Sequence, residues 1–113
     1  MEFSIYNTMA KKKEIFKPIE NGKVSLYTCG PTVYDSSHIG NFRTFIFEDL
    51  LKRWLLHLGY DVKHAMNITD VDDKTIKKSI NSNLSLNQVT NKYISRFMDD
   101  IEWLAIHPAD MYP

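Results

Sequence analysis

Residues 29–41, Cys-Gly-Pro-Thr-Val-Tyr-Asp-Ser-Ser-His-Ile-Gly-Asn, put a thiol, several hydroxyls, a histidine and two glycines into one short stretch. That mixture suits a ligand carrying phosphate. Gly40 has no Cβ and lets a backbone or a phosphate approach closely. His38 offers a ring N–H, and a helix beginning just beyond Gly40 presents unpaired amides and the positive end of its dipole to an anion. Cys29 is the chain's one cysteine, so no internal disulfide is available to it. Its thiolate is instead a soft metal ligand. The same residues suit blander roles. A surface loop with one histidine has this composition, and a lone cysteine serves as readily as a small core residue. The stretch alone leaves both readings open.

Secondary structure must hold such a stretch in place. A strand is predicted over residues 23–29, a short run rich in β-formers that follows Asn21-Gly22. A loop then runs from Gly30 to Gly40. Over 42–58 the apolar residues Phe42, Phe45, Ile46, Leu50, Trp54, Leu55 and Leu58 recur at helical spacing, with Gly59 where a helix stops. Residues 60–68 alternate poorly, but their place after a strand and a helix predicts a second, parallel strand. Strand, helix and strand form the right-handed crossover that nucleates an open α/β sheet, whose ligands gather at the carboxyl ends of the strands. Upstream, residues 3–7 and 14–19 read as a two-stranded ribbon joined by a polar lysine turn. Downstream, an Asp-rich stretch near residue 70 leads into a short helix ending near Ile80. A further helix opens on Ser85-Leu86-Asn87-Gln88, a capping box, and runs through Val89, Tyr93, Phe97, Ile101 and Leu104.

Composition bounds the rest. A length of 113 residues allows one small domain, and 43% hydrophobic with 25% charged residues describes a folded chain. Basic and acidic residues number 14 each, so no net field draws the chain toward DNA or an anionic membrane. The dense basic run Lys11-Lys12-Lys13 reads as a solvated turn. The opening Met-Glu-Phe-Ser lacks a secretory pattern, and no apolar run approaches the roughly 18 residues of a membrane span. With a single cysteine, these features predict a cytoplasmic protein.

Motifs extend well beyond residues 29–41: Tyr6-Asn7-Thr8, Phe16-Lys17-Pro18-Ile19, Tyr27-Thr28-Cys29-Gly30, Val33-Tyr34-Asp35, His38-Ile39-Gly40, Arg43-Thr44-Phe45 and Asn67-Ile68-Thr69-Asp70-Val71-Asp72-Asp73-Lys74. In this order they resemble the amino-terminal quarter of cysteinyl-tRNA synthetases, a family of class I aminoacyl-tRNA synthetases, with His38-Ile39-Gly40-Asn41 at the HIGH signature. The resemblance implies the first half of a Rossmann-like (HUP-type) nucleotide-binding fold, a parallel sheet with flanking helices. It implies that residues 1–113 are the amino-terminal portion of a catalytic domain, stopping before the family's insertion, KMSKS loop and anticodon-binding domain. It also implies ATP-dependent activation of cysteine to an adenylate, followed by transfer to tRNA(Cys), in the full-length enzyme.

By the same resemblance, Cys29 is one of four ligands of a zinc that grips the substrate thiolate, the other three being supplied from elsewhere. Zinc takes sulfur readily and a hydroxyl poorly near neutral pH, which separates cysteine from serine better than pocket size does. Gly30, Thr32, His38, Gly40 and Asn41 would hold ATP, supplied with magnesium. His38 and Asn41 would act at the reacting phosphate, while Thr32 and Thr69 would lie near the amino acid, Thr69 offering its hydroxyl or carbonyl to the ammonium group. Asn41 departs from the signature's second histidine: it keeps a neutral donor but cannot become cationic.

The remaining polar groups have other readings. A calcium loop starting at Asp70 needs glycine sixth and glutamate twelfth, where the chain has Thr75 and Asn81. Capping the helix that follows is the better use of at least one of these carboxylates. His57, His64 and His107 read as surface or helix-end residues. Two alternatives to the synthetase stand beside it: a cysteine ligase acting on an amino sugar, as in mycothiol synthesis, and a non-catalytic binding protein that keeps the fold.

Overall fold

The computed structural model describes residues 2–113. Its elements follow the order β1 (Ser4–Asn7), β2 (Lys12–Ile15), β3 (Lys23–Thr32), α1 (Ile39–His57), β4 (Asp61–Thr69), α2 (Asp73–Ser82) and α3 (Leu86–Trp103). Strands β1 and β2 pair antiparallel as a separate ribbon, so the predicted second strand begins and ends earlier than residues 14–19. Lys12 and Lys13 lie in β2, and only Lys11, at φ 53°, belongs to the turn.

Strands β3 and β4 run parallel, in register from Lys23 opposite Asp61 to Cys29 opposite Asn67. The register then shifts, and Thr32 pairs with Thr69. Strand β3 therefore runs past Cys29 through Gly30 and Pro31, residues expected in the loop. Pro31 has no N–H to give a ladder, and the irregularity between Cys29 and Thr32 is where a proline is tolerated. Along the other edge of β4 lie the last residues of the chain: Met66 N–H donates to the Met111 carbonyl at 3.1 Å and Ile68 N–H to that of Pro113 at 3.2 Å.

Helix α1 joins the two strands and packs on both. It starts at Ile39, earlier than its apolar periodicity indicates, because His38 caps it. One core gathers Phe42 and Phe45 of α1, Met66 of β4, Phe97 and Ile101 of α3, and Ile106. Its centre is three phenylalanines, with Phe97 at 5.4 Å from Phe45 and 6.3 Å from Phe42 between ring centroids. A second core joins Val24, Leu55 and Val62, with Phe3 and Phe16 of the ribbon packed against it.

The face that α1 buries differs from the expected one. Phe42, Phe45 and Leu55 are buried, but so are Glu48, Asp49 and Lys52, while Ile46, Leu50 and Trp54 are exposed. Two of the polar members are tied to the segment after α3: Lys52 Nζ donates to the Pro108 carbonyl at 2.8 Å, and Asp49 Oδ1 accepts from His107 N–H at 2.9 Å. Helix α2 is capped by Asp72, whose carboxylate accepts from the amides of Lys74 and Thr75, and α3 by the Ser85–Gln88 box. Both uses were legible in the sequence. Among the described residues no helix is long and apolar enough to cross a membrane.

Candidate functional site

A cleft of about 400 Å³ opens at the carboxyl end of β3, between that strand and the first turn of α1. Cys29, Gly30, Thr32, His38, Gly40 and Asn41 all line it, together with Tyr34, Asp35 and Lys74. Its floor depends on Gly30. That residue's N–H donates to the Asn67 side-chain oxygen at 3.2 Å, and a Cβ there would stand 2.0 Å from the Asn67 backbone oxygen. The two strands close against each other beside Cys29 because Gly30 has no side chain.

The wall formed by α1 is a reciprocal cap. His38 Nδ1 accepts from Gly40 N–H at 3.0 Å, and Asn41 Oδ1 accepts from His38 N–H at 3.1 Å. An Nδ1 that accepts carries no proton, so the ring is neutral with its proton on Nε2, the free donor. Gly40 is needed for a reason other than ligand approach: a Cβ there would meet the His38 ring at 2.7 Å. The amides of Asn41 and Phe42 both donate to the His38 carbonyl, at 2.9 and 3.2 Å. With the amides of Gly40, Asn41 and Phe42 engaged inside the cap, the helix N-terminus is less open to an anion than its position suggests.

The family model described as tRNA synthetases class I (C) catalytic domain matches residues 15–113. The chain belongs to that family. Among curated relatives it is 60% identical over 109 residues to the cysteine–tRNA ligase of Chlamydia abortus, covering 96% of this chain and 23% of that protein. It is 58% identical over 113 residues to the ligase of Chlamydia trachomatis serovar D, covering 100% of this chain and 24% of that one. A more distant relative, the ligase of Methanococcus vannielii, is 47% identical over 109 residues, 96% of this chain and 23% of the relative. The chain therefore spans about a quarter of the length of these relatives.

Within this class I synthetase domain, Cys29 is exposed and lines the same cleft as His38. Thr69 does not line it: its carbonyl accepts from Val33 N–H at 3.0 Å and its hydroxyl from the Asn67 amide at 3.2 Å. Sequence reasoning gave no role to Lys74, whose ammonium stands 5.2 Å from the centre of the Tyr34 ring. Its place in the Asn67–Lys74 motif was the available signal.

Behind the cleft lies a polar cluster that corrects the reading of His64 as a surface residue. His64 is 3% exposed, and its Nε2 lies 2.9 Å from the hydroxyl of buried Thr28. Glu48 is buried as well, and among the described residues neither its Oε2 nor His64 Nδ1 has a hydrogen-bond partner. Burial, and then the Lys52 ammonium, hold the His64 ring below its ordinary value, against the pull of Asp110 and Asp49. Burial raises the Glu48 carboxyl, and the Thr28 hydroxyl offsets part of that. The signs oppose. A lowered His64 contributes stability that is present above pH 6.5 and lost as the pH falls through its folded value. A raised Glu48 contributes stability that is present below pH 4.5 and lost as the pH rises through its folded value. Between pH 8 and 5 the His64 contribution will therefore make the thermal midpoint fall below about pH 6.5, where the unfolded imidazole titrates. That fall will be shallower in His64→Gln, and an equal fall in both proteins would show that His64 is not its source.

Proposed function

We propose that this chain forms the amino-terminal part of the catalytic domain of a cysteine–tRNA ligase. In the whole enzyme, cysteine is activated with ATP and magnesium to cysteinyl-adenylate and passed to tRNA(Cys) in the cytoplasm. The observation that carries the reading is the convergence of Cys29, Thr32, His38, Gly40 and Asn41 on one cleft at the end of a parallel strand. The names of the relatives support it.

On this reading the substrate carboxylate attacks the α-phosphorus and pyrophosphate leaves. The chain's own part is to position the reactants and to stabilise developing negative charge. The Nε2–H of His38 and the free amide of Asn41 are neutral donors for phosphate oxygens, and their backbone anchors keep both side chains from reorienting. Thr32 stands beside the amino acid, and Thr69 supports it through their pairing rather than by direct contact. Cys29 presents its sulfur to the substrate's thiol end.

Zinc would supply a thiolate-selective Lewis acid there, with Cys29 as the ligand this chain contributes. Among the described residues no group of three His, Cys, Asp or Glu side chains can hold a metal ion. One thiolate does not by itself make a tetrahedral zinc site.

A chimera tests the reading. With this chain in place of the matching segment of the Chlamydia abortus ligase, cysteine-dependent exchange of pyrophosphate into ATP should persist. Cys29→Ser in that chimera should lower the exchange by about 100-fold or more. A folded chimera that is inactive, or a Cys29→Ser chimera that still prefers cysteine to serine undiminished, would refute it.

A further inference from the structure

We propose that Lys74 is a phosphate-binding residue of the cleft, holding the triphosphate of the nucleotide from the α2 side, opposite His38. The proposal rests on the nucleotide reading above and adds a residue to it. Among the described residues Lys74 and His38 are the basic side chains lining the cleft, and His38 is neutral by its hydrogen bond to Gly40. The neighbouring Asp35 adds a negative charge to the same lining. A nucleoside triphosphate entering that space needs a cation, and Lys74 is the permanent one available.

Three features point the same way. Lys74 is placed rigidly: its amide donates to Asp72 Oδ1 at 2.8 Å, and the next residue, Thr75, is fully buried and bonded both ways to the Asp72 backbone. Its ammonium rests near the face of Tyr34, itself a lining residue, which orients the charge without neutralising it. No carboxylate among the described residues lies within 4.0 Å of it, so the charge is not already spent on an ion pair. A lysine in the first turn of a helix also works against the helix dipole. An anionic ligand above that turn removes the penalty, and a surface salt bridge is not there to do so.

The test is a nuclear magnetic resonance titration of the isotope-labelled chain with ATP, tripolyphosphate, adenosine and a short single-stranded oligoribonucleotide, each to millimolar concentration. Shifts are read at Gly30, Gly40 and Lys74. ATP and tripolyphosphate should move these signals. Lys74→Met should weaken both ligands by about tenfold or more, the contribution of one charged hydrogen bond. Adenosine should be unaffected, and Lys74→Arg should restore most of the binding. Four results overturn the proposal: tripolyphosphate that does not bind the unsubstituted chain, ATP affinity unchanged in Lys74→Met, a loss equal for ATP and adenosine, or a loss confined to the oligoribonucleotide, which would assign Lys74 to RNA. The nucleotide reading fails separately, if neither ATP nor adenosine shifts any cleft residue.

Discussion

Gly30→Ala will lower the thermal midpoint of the chain by on the order of 10 °C, while Gly22→Ala will lower it by only a few degrees. The two glycines are needed for different reasons. Gly22 turns with φ +76° into open space, so an alanine there meets no atom and costs only the left-handed backbone, about 1 kcal/mol. At Gly30 the obstacle is contact. A new Cβ would sit 2.0 Å from the Asn67 backbone oxygen and 2.8 Å from Met66 Cγ, and the backbone atom cannot swing aside as a side chain can. Strands β3 and β4 must separate beside Cys29, which also breaks the bond from Gly30 N–H to the Asn67 side chain. Overpacking that moves a strand belongs to the severe class of substitutions, about 3 kcal/mol or more. Urea titrations followed by circular dichroism compare the two variants directly. Equal losses at the two positions would mean that the close approach of Asn67 is not what holds β3 and β4 together.

Much of this fold was legible because its signals are local. The strand–helix–strand unit follows from β-formers, helical spacing and Gly59 within one stretch of chain. The caps at Asp72 and Ser85 follow from side chains that reach only their own helix. What was missed depends on partners far away in sequence. Pro31 reads as the end of a strand, and only its placement at a register shift lets β3 continue to Thr32. On α1, the apolar spacing marks Ile46, Leu50 and Trp54 as core, yet Glu48, Asp49 and Lys52 are buried in their stead. Those three find hydrogen-bond or charge partners in β3, α1 and the segment after α3, which no periodicity within the helix encodes.

The site divides along the same line. Cys29, His38, Gly40 and Asn41 were found as neighbours in sequence, and the cap that joins the last three is itself local. Lys74 reaches Tyr34 only because a parallel crossover brings the carboxyl ends of β3 and β4 to the same edge. His64 is the reverse case. A histidine on a strand gives no sign of burial until Thr28 is seen to offer it a hydroxyl. Gly40, read from the sequence as a point of close approach, has a further use that the sequence does not show: its missing Cβ makes room for the His38 ring.

A polypeptide of residues 1–113 alone will show no measurable cysteine-dependent exchange of labelled pyrophosphate into ATP. On the proposed reading its cleft holds His38, Asn41 and Lys74 as donors, but it has one thiolate where zinc needs four ligands. The resemblance also assigns a second phosphate-binding loop to residues outside this chain. Removing one preorganised donor typically costs about 100-fold to 1000-fold in rate, and several are absent together. A surface feature bears on the same expectation. Ile46, Phe47, Leu50 and Trp54 form an exposed apolar stripe along α1, a helix whose other side already packs on the sheet. A helix apolar on that face gains stability only by covering it, so the isolated polypeptide should self-associate at high concentration. Adding a separately expressed downstream fragment of the Chlamydia abortus ligase should cover the stripe, suppress the self-association and restore exchange. Leu50→Glu should block that rescue while leaving the far side of α1 undisturbed. Robust exchange by residues 1–113 alone would overturn this expectation and show that the cleft is sufficient for adenylate formation.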